Sequence, residues 1–219
     1  MMRMKRVGSW LLSMVAAIAF TGWFNVQAAE TTEDPYKMIQ RVAESTFKRI
    51  VDEQQLINED ANYLKTVVRE ELMPYINYKL TAKIVLGKTR VTKAEKKAFY
   101  IAFNKYLITT YATVFTKYTN QKVVFEAPRS IEGKKVVTVK TRIIDGSRPD
   151  IHIDFKVRLN KKTGQWRAYD MVAEGISLLN TKKAELKGLL RKKGGVAEVT
   201  NLLTEKAKAS IKRETKNSV

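Results

Sequence analysis

Apolar positions recur at helical spacing from residue 34 to about residue 118, at a spacing of two from 123 to 172, and at helical spacing again after 179. Each change of period marks a change of element, because a helix brings every third or fourth side chain to one face and a strand every second. Asp34-Pro35 predicts a helix start, an N-cap followed by proline at the first helical position, with Met38 or Ile39, Val42, Phe47, Ile50 and Val51 as the apolar side. A second helix is expected from about Asn62 to Pro74 on Tyr63, Leu64, Val67, Val68 and Leu72. A third, short one is expected from Tyr75 to Leu86, closed by Gly87. Thr92-Lys93-Ala94-Glu95 is a capping box that opens the longest periodic run, extending to about Tyr118. Phe99, Phe103, Tyr106, Thr110 and Val114 line one face of it and Tyr100, Ile108, Tyr111, Phe115 and Tyr118 another. So wide a stripe predicts contacts on two sides, with helices and with a sheet.

Four strand candidates follow: Val123 to Phe125, Lys135 to Ile144, Ile151 to Leu159 and Trp166 to Val172. They are separated by the turn signals Glu132-Gly133, Asp145-Gly146 and Thr163-Gly164. In the third, Ile151, Ile153, Phe155, Val157 and Leu159 alternate with His152, Asp154, Lys156, Arg158 and Asn160, the pattern of an antiparallel strand with one wet face. Helices return from about Asn180 to Lys193 and from Gly195 to Lys212. Helices, a four-stranded meander and helices again predict an α+β fold, with helices packed on one face of a curved antiparallel sheet. Residues 29 to 214 contain no internal repeat and no Gly-, Pro- or Ser-rich linker, so one domain is expected, with 215 to 219 a frayed tail.

The first 28 residues change what this domain means. Arg3, Lys5 and Arg6 precede an apolar run, Trp10 to Phe20, too short to span a bilayer, and Val26-Gln27-Ala28 offers small residues at −3 and −1 of a cleavage site. A cleavable secretory signal over 1 to 28 and a periplasmic location are therefore expected. Export also reassigns the charge. The formal net of +19 falls to +16 without the three leader cations, and an exported protein of that charge meets anionic lipid and acidic protein rather than nucleic acid. The chain has no cysteine, so disulfides and a lipoprotein anchor are excluded.

Catalytic chemistry has few groups to draw on. One histidine and no cysteine exclude thiol catalysis and ordinary His- or Cys-rich zinc sites, and no G-x-S-x-G or phosphate-cradling glycine loop occurs. His152 falls on the wet face of its strand. Asp170 and Glu174, four apart where strand gives way to loop, are the one carboxylate pair that could serve as acid and base, without partners to complete a site. No enzyme activity and no cofactor are expected.

The stretch from Trp166 to Leu178, Trp-Arg-Ala-Tyr-Asp-Met-Val-Ala-Glu-Gly-Ile-Ser-Leu, closely resembles the signature region of the periplasmic phospholipid-binding family of the Mla pathway, also called the toluene-tolerance auxiliary family. Asp34-Pro35-Tyr36, Leu72-Met73-Pro74-Tyr75, Val85-Leu86-Gly87 and Leu189-Leu190-Arg191-Lys192-Lys193-Gly194 agree with it in order, and the lysine-rich tail after Leu203 departs from it. The resemblance implies a soluble carrier moving phospholipid between outer and inner membranes to maintain outer-membrane asymmetry. It implies a cystatin- or nuclear-transport-factor-like fold enclosing an apolar pocket, with bound phospholipid as cargo. The implied partners are an outer-membrane lipoprotein–porin complex and an inner-membrane ABC transporter complex with an MCE-domain subunit.

Periodicity and resemblance together place the lipid-binding wall. Leu72, Tyr75, Ile84, Leu86, Phe103, Tyr106, Leu107 and Tyr111 form its helical side. Val139, Ile143, Ile153, Phe155, Val157, Tyr169, Met171, Val172 and Ile176 form its sheet side. Spacing does not distinguish such a wall from a filled core. A non-lipid module that docks an acidic envelope partner through its basic face is the alternative.

Overall fold

The computed structural model describes residues 33–118, 121–144, 146, 149–192 and 194–212; the expected signal and the frayed tail lie outside them. Helix α1 (Pro35–Asp52) starts where Asp34 accepts the amides of Tyr36 and Lys37 at 2.8 and 3.2 Å, with Pro35 at its first position. A short α2 (Gln54–Glu59), not expected from the sequence, continues it after Glu53.

The single helix expected from Asn62 to Pro74 is instead a series of short pieces: a 3-10 turn (Ala61–Tyr63), α3 (Leu64–Val67), a π turn (Val68–Leu72) and a second 3-10 turn (Met73–Tyr75). Pro74 lacks the amide that would extend an α-helix, and the wider π turn changes the phase of what precedes it. Leu64, Val67 and Val68 are thereby buried among helices, while Leu72 packs against two separate clusters. Helix α4 (Tyr78–Leu86) starts three residues later than expected. Ile76 forms a parallel bridge to Ala168, the Asn77 amide donates to the Ala168 carbonyl at 2.7 Å, and the Asn77 side chain caps Leu80.

Helix α5 (Lys93–Phe115) has its capping box in place, with Glu95 N–H on Thr92 Oγ1 at 3.1 Å and Thr92 N–H on Glu95 Oε2 at 2.7 Å. It buries Phe99, Ala102, Phe103, Leu107, Ile108 and Ala112, packing on α3, α4 and above all α7.

The sheet has five strands rather than four: β1 (Lys122–Phe125), β2 (Val136–Ile144), β3 (Ile151–Leu159), β4 (Trp166–Ala173) and β5 (Ile176–Ser177), antiparallel in sequence order. The fifth was hidden because it is two residues long. It folds back on Val172 and Ala173 through Glu174-Gly175, both at positive φ (48° and 77°), as a two-residue hairpin requires. Glu174 is held there through its amide and carboxylate, both bonded to the backbone of His152. Between Val157 and Lys156 the β3–β4 register skips Tyr169, a bulge that bends the sheet.

Helix α6 (Leu178–Leu190) begins two residues early, because Asp170 accepts the Leu179 amide at 3.1 Å and Ser177 caps Asn180 at 3.0 Å. Helix α7 (Gly195–Lys208) stops before Lys212. Lys65 takes the Ala209 carbonyl at 2.6 Å, the Ile211 amide donates to Asn62 at 3.1 Å, and Ile211 is buried.

Two hydrophobic cores result. One lies among α2 to α7. The other holds Tyr36, Met38, Ile39 and Val42 of α1 against Val137, Val139, Val157 and Trp166 of the sheet.

The α6–α7 corner turns on Gly194, at φ +75°, and Gly195, whose added Cβ would lie 1.9 Å from the Leu189 carbonyl oxygen. Gly188, inside α6, has open space around it. Gly195→Ala is expected to destabilise by more than about 1 kcal/mol and Gly188→Ala to stabilise by about 1 kcal/mol. Thermal melts should therefore move in opposite directions, the second upward by about 3 °C.

Candidate functional site

Register fixes which sheet residues face inward. Val139, Phe155 and Met171 are aligned across β2, β3 and β4, Thr141 and Ile153 align with Ala173, and Ile143 lies between Val123 and Ile151. These odd-numbered positions share the face covered by α1. The bulge then changes the phase of β4: Trp166 and Ala168 face inward before it and Met171 after it. Tyr169, at the bulge, packs against the helical core, and its carbonyl accepts Thr81 Oγ1 at 2.9 Å.

The predicted wall residues divide into three groups. Leu86, Phe103, Leu107, Val139 and Val157 are fully buried in one core or the other, so they support a wall without lining it. Leu72, Tyr75, Ile84, Tyr106, Tyr111, Ile143, Ile153, Phe155, Tyr169 and Met171 keep partial accessibility although they point into the molecule or lie between its layers. Ile143, Ile153 and Met171 belong to neither core. Two members of the predicted wall are misplaced. Val172 pairs with Asp154 on the outer face, since alternation puts it opposite Met171, and Ile176 lies on the edge strand at 61% exposure.

Tyr111 carries the most information. Desolvation, with smaller contributions from the Asp170 charge and Tyr106, pushes its phenol up to about 12, the mark of a group enclosed by protein. Its side chain nonetheless retains accessible surface. Tyr111 is thus surrounded by protein and still partly accessible. Tyr106, one turn back on α5, is in cation–π contact with Lys182, 5.2 Å from the ring centroid. Burial opposes the Lys182 ammonium, but hydrogen bonds to Glu185 and Tyr106 outweigh it and raise its pKa. Tyr75 accepts a hydrogen bond from Arg41 at 3.2 Å, and Arg41 is clamped in turn by Glu33. Tyrosine hydroxyls and paired charges thus adjoin the half-buried apolar side chains between the two cores.

Sequence reasoning missed Val123, which shares the inward face beside Ile143 and could have been found by extending that alternation one strand outward. It also missed the aromatic group at the end of α5, where Phe47 stacks on Tyr118 at 4.5 Å and meets Phe115 edge-on at 5.9 Å. Helical spacing shows these rings but not their meeting, which joins α1 to α5 across most of the helical half.

The carboxylate pair is structural. Asp170 accepts Ser177 Oγ at 2.8 Å and the Leu179 amide, with Lys156 at 3.4 Å, and Glu174 holds His152. Both therefore act as caps and braces. Among the described residues no cluster of His, Asp or Glu could hold a metal ion, and no helix is long and apolar enough to cross a membrane. A separate open groove of about 660 Å³ runs along Ile131, Leu159 and Trp166 at the turn end of the sheet, flanked by Lys134, Lys135 and Lys161, and includes none of the predicted wall residues.

A solved structure of a phospholipid-binding protein from Ralstonia solanacearum, in complex with a phospholipid, superposes with a TM-score of 0.70 at 21% identity, covering 80% of this chain and 97% of that one. The likeness establishes the fold. The intermembrane phospholipid transport system binding protein MlaC of Haemophilus influenzae is 32% identical over 184 residues, 82% of this chain and 86% of that protein. Residues 40–205 match the family described as MlaC protein, from within α1 to within α7. By both measures, the chain belongs to the MlaC protein family.

Proposed function

We propose that this protein is a phospholipid carrier that holds its cargo between the two cores and moves it between the outer and inner membranes, maintaining outer-membrane lipid asymmetry. The observation that carries the reading is the enclosed but accessible Tyr111, facing a sheet surface whose Ile153 and Met171 pack into neither core. The named relative supports it: that protein is a binding protein of an intermembrane phospholipid transport system.

The energetics set what such a site must do. Two acyl chains expose about thirty methylenes, and at about 0.8 kcal/mol each their transfer through water costs more than about 20 kcal/mol without shelter. The shelter must be apolar and continuous. It must also hold chains no better than a bilayer does by a wide margin, or the lipid would not leave. Half-buried side chains of mixed shape, not locked into either core, suit a wall that accepts and releases. A leader over residues 1 to 28 and a periplasmic location belong to this reading. So do docking partners at each membrane: an inner-membrane ABC transporter complex with an MCE-domain subunit and an outer-membrane lipoprotein–porin complex.

Native mass spectrometry of the exported protein, purified without detergent, should show stoichiometric phospholipid. A protein that is empty and takes no lipid from vesicles sinks the proposal and favours a non-lipid docking module.

Wall and core are separable by substitution. Met171→Glu is expected to empty the protein with little change in its melting temperature. Val139→Glu, at a site 1% exposed in the sheet core, should cost several kcal/mol, about 3 or more, and unfold much of the population. Equal loss of stability in both variants would mean that the gap is a filled core.

A further inference from the structure

The excess of positive charge is greatest in α4, α5 and α6, while residues 121 to 177 carry twelve cations against seven acids. From residue 33 to 71, spanning α1 to α3, nine acids outnumber six cations, and Arg41, Lys48 and Arg49 are each ion-paired. From 78 to 105, covering α4 and the first half of α5, eight cations face one acid, and from 178 to 192, in α6, five face one. Helix α4 packs on both α5 and α6, so these segments adjoin. Each presents exposed cations one helical turn apart: Lys79 and Lys83 on α4, Lys93 and Lys97 on α5, Lys183 and Lys187 on α6. None of these six has a carboxylate partner among the described residues.

We infer that the α4–α5–α6 face is an electrostatic docking surface for an anionic phospholipid bilayer. Three features favour a bilayer over an acidic protein. The cations are spread over three helices on long flexible stems, which suits a laterally mobile plane of phosphates rather than a fixed set of carboxylates. Lysine predominates, a hydrated point charge rather than the planar fork that matches a particular acid. On α4, the first half of α5 and α6 the large exposed apolar side chains are Ile101 and Leu178, and Tyr78 and Tyr100 are only partly accessible, so no exposed aromatic anchor of the kind that dominates protein interfaces is present among these described residues. The acidic α1–α3 side would be repelled by the same membrane, and the resulting torque presents one side of the molecule first. The inference adds a membrane-facing surface to the carrier reading and is tested separately from it.

The experiment is flotation of the exported protein with vesicles of phosphatidylglycerol and phosphatidylethanolamine, against vesicles of phosphatidylcholine alone. One variant combines Lys83→Gln, Lys97→Gln, Lys105→Gln and Lys187→Gln. A control removes the same charge elsewhere with Lys122→Gln, Lys140→Gln, Arg158→Gln and Lys162→Gln. Wild type should bind the anionic vesicles at low salt and release as the screening length shortens. The helix-face variant should bind about tenfold more weakly or worse, with the control losing much less. Equal losses in the two variants would make net charge, not this face, responsible and overturn the inference. So would a wild type that ignores anionic vesicles, which would leave an acidic protein as the occupant. Lipid content read on the same samples keeps the proposals apart: an empty protein that still docks through this face retains this inference and removes the carrier reading.

Discussion

Two hydrophobic cores, bridged by Leu72, are the condition on which the rest of this structure depends. Apolar surface left uncovered between layers contributes little to folding, so the cohesion it would have supplied must come from elsewhere. Here it comes from α5 packed among α3, α4 and α7 on one side, and from α1 laid on β2 to β4 on the other. Polar contacts hold the two at a fixed relation: Asn77 to Ala168, Thr81 to Tyr169, and Asp170 to the start of α6. They sit along the edge of β4, where they join the two halves.

The succession of helices, sheet and helices, the capping box, the α1 start and four of the five strands to within a residue were legible in the sequence, because each rests on a local signal: a cap, a period or a turn residue. What was not legible depends on partners distant in the chain. The π turn at Val68–Leu72 serves two cores at once, and the late start of α4 follows from a bridge to Ala168, ninety-two residues beyond Ile76. The division of the predicted wall residues into buried and accessible was not legible either. Phe103 and Tyr106 have the same helical pattern around them, yet one is sealed and the other accessible. Spacing reports which way a side chain points and says nothing of whether anything meets it.

The charge distribution follows the same division of labour. Carboxylates and cations are interleaved and paired where α1 crosses the segment from Arg69 to Leu72, the place where chain packing is most irregular. Arg49 alone gathers Glu53, Glu70 and Glu71 there, bracing a stretch that cannot rely on continuous helix hydrogen bonding. Helix α4, by contrast, has exposed cations and no carboxylate, whereas α6 and α7 pair Glu185 with Lys182 and Lys206, and Glu205 with Lys208.

The bulge at Tyr169 gives β4 two phases along eight residues, so that Trp166 and Ala168 enter the sheet core while Met171 keeps the inward face beside Phe155. A strand of strict alternation could serve one of these destinations and would turn the other outward. Chain length at this point is therefore under a constraint that residue identity is not. Loss of a single codon there would rotate half the strand and turn either Met171 or the Trp166–Ala168 end out of the inward face.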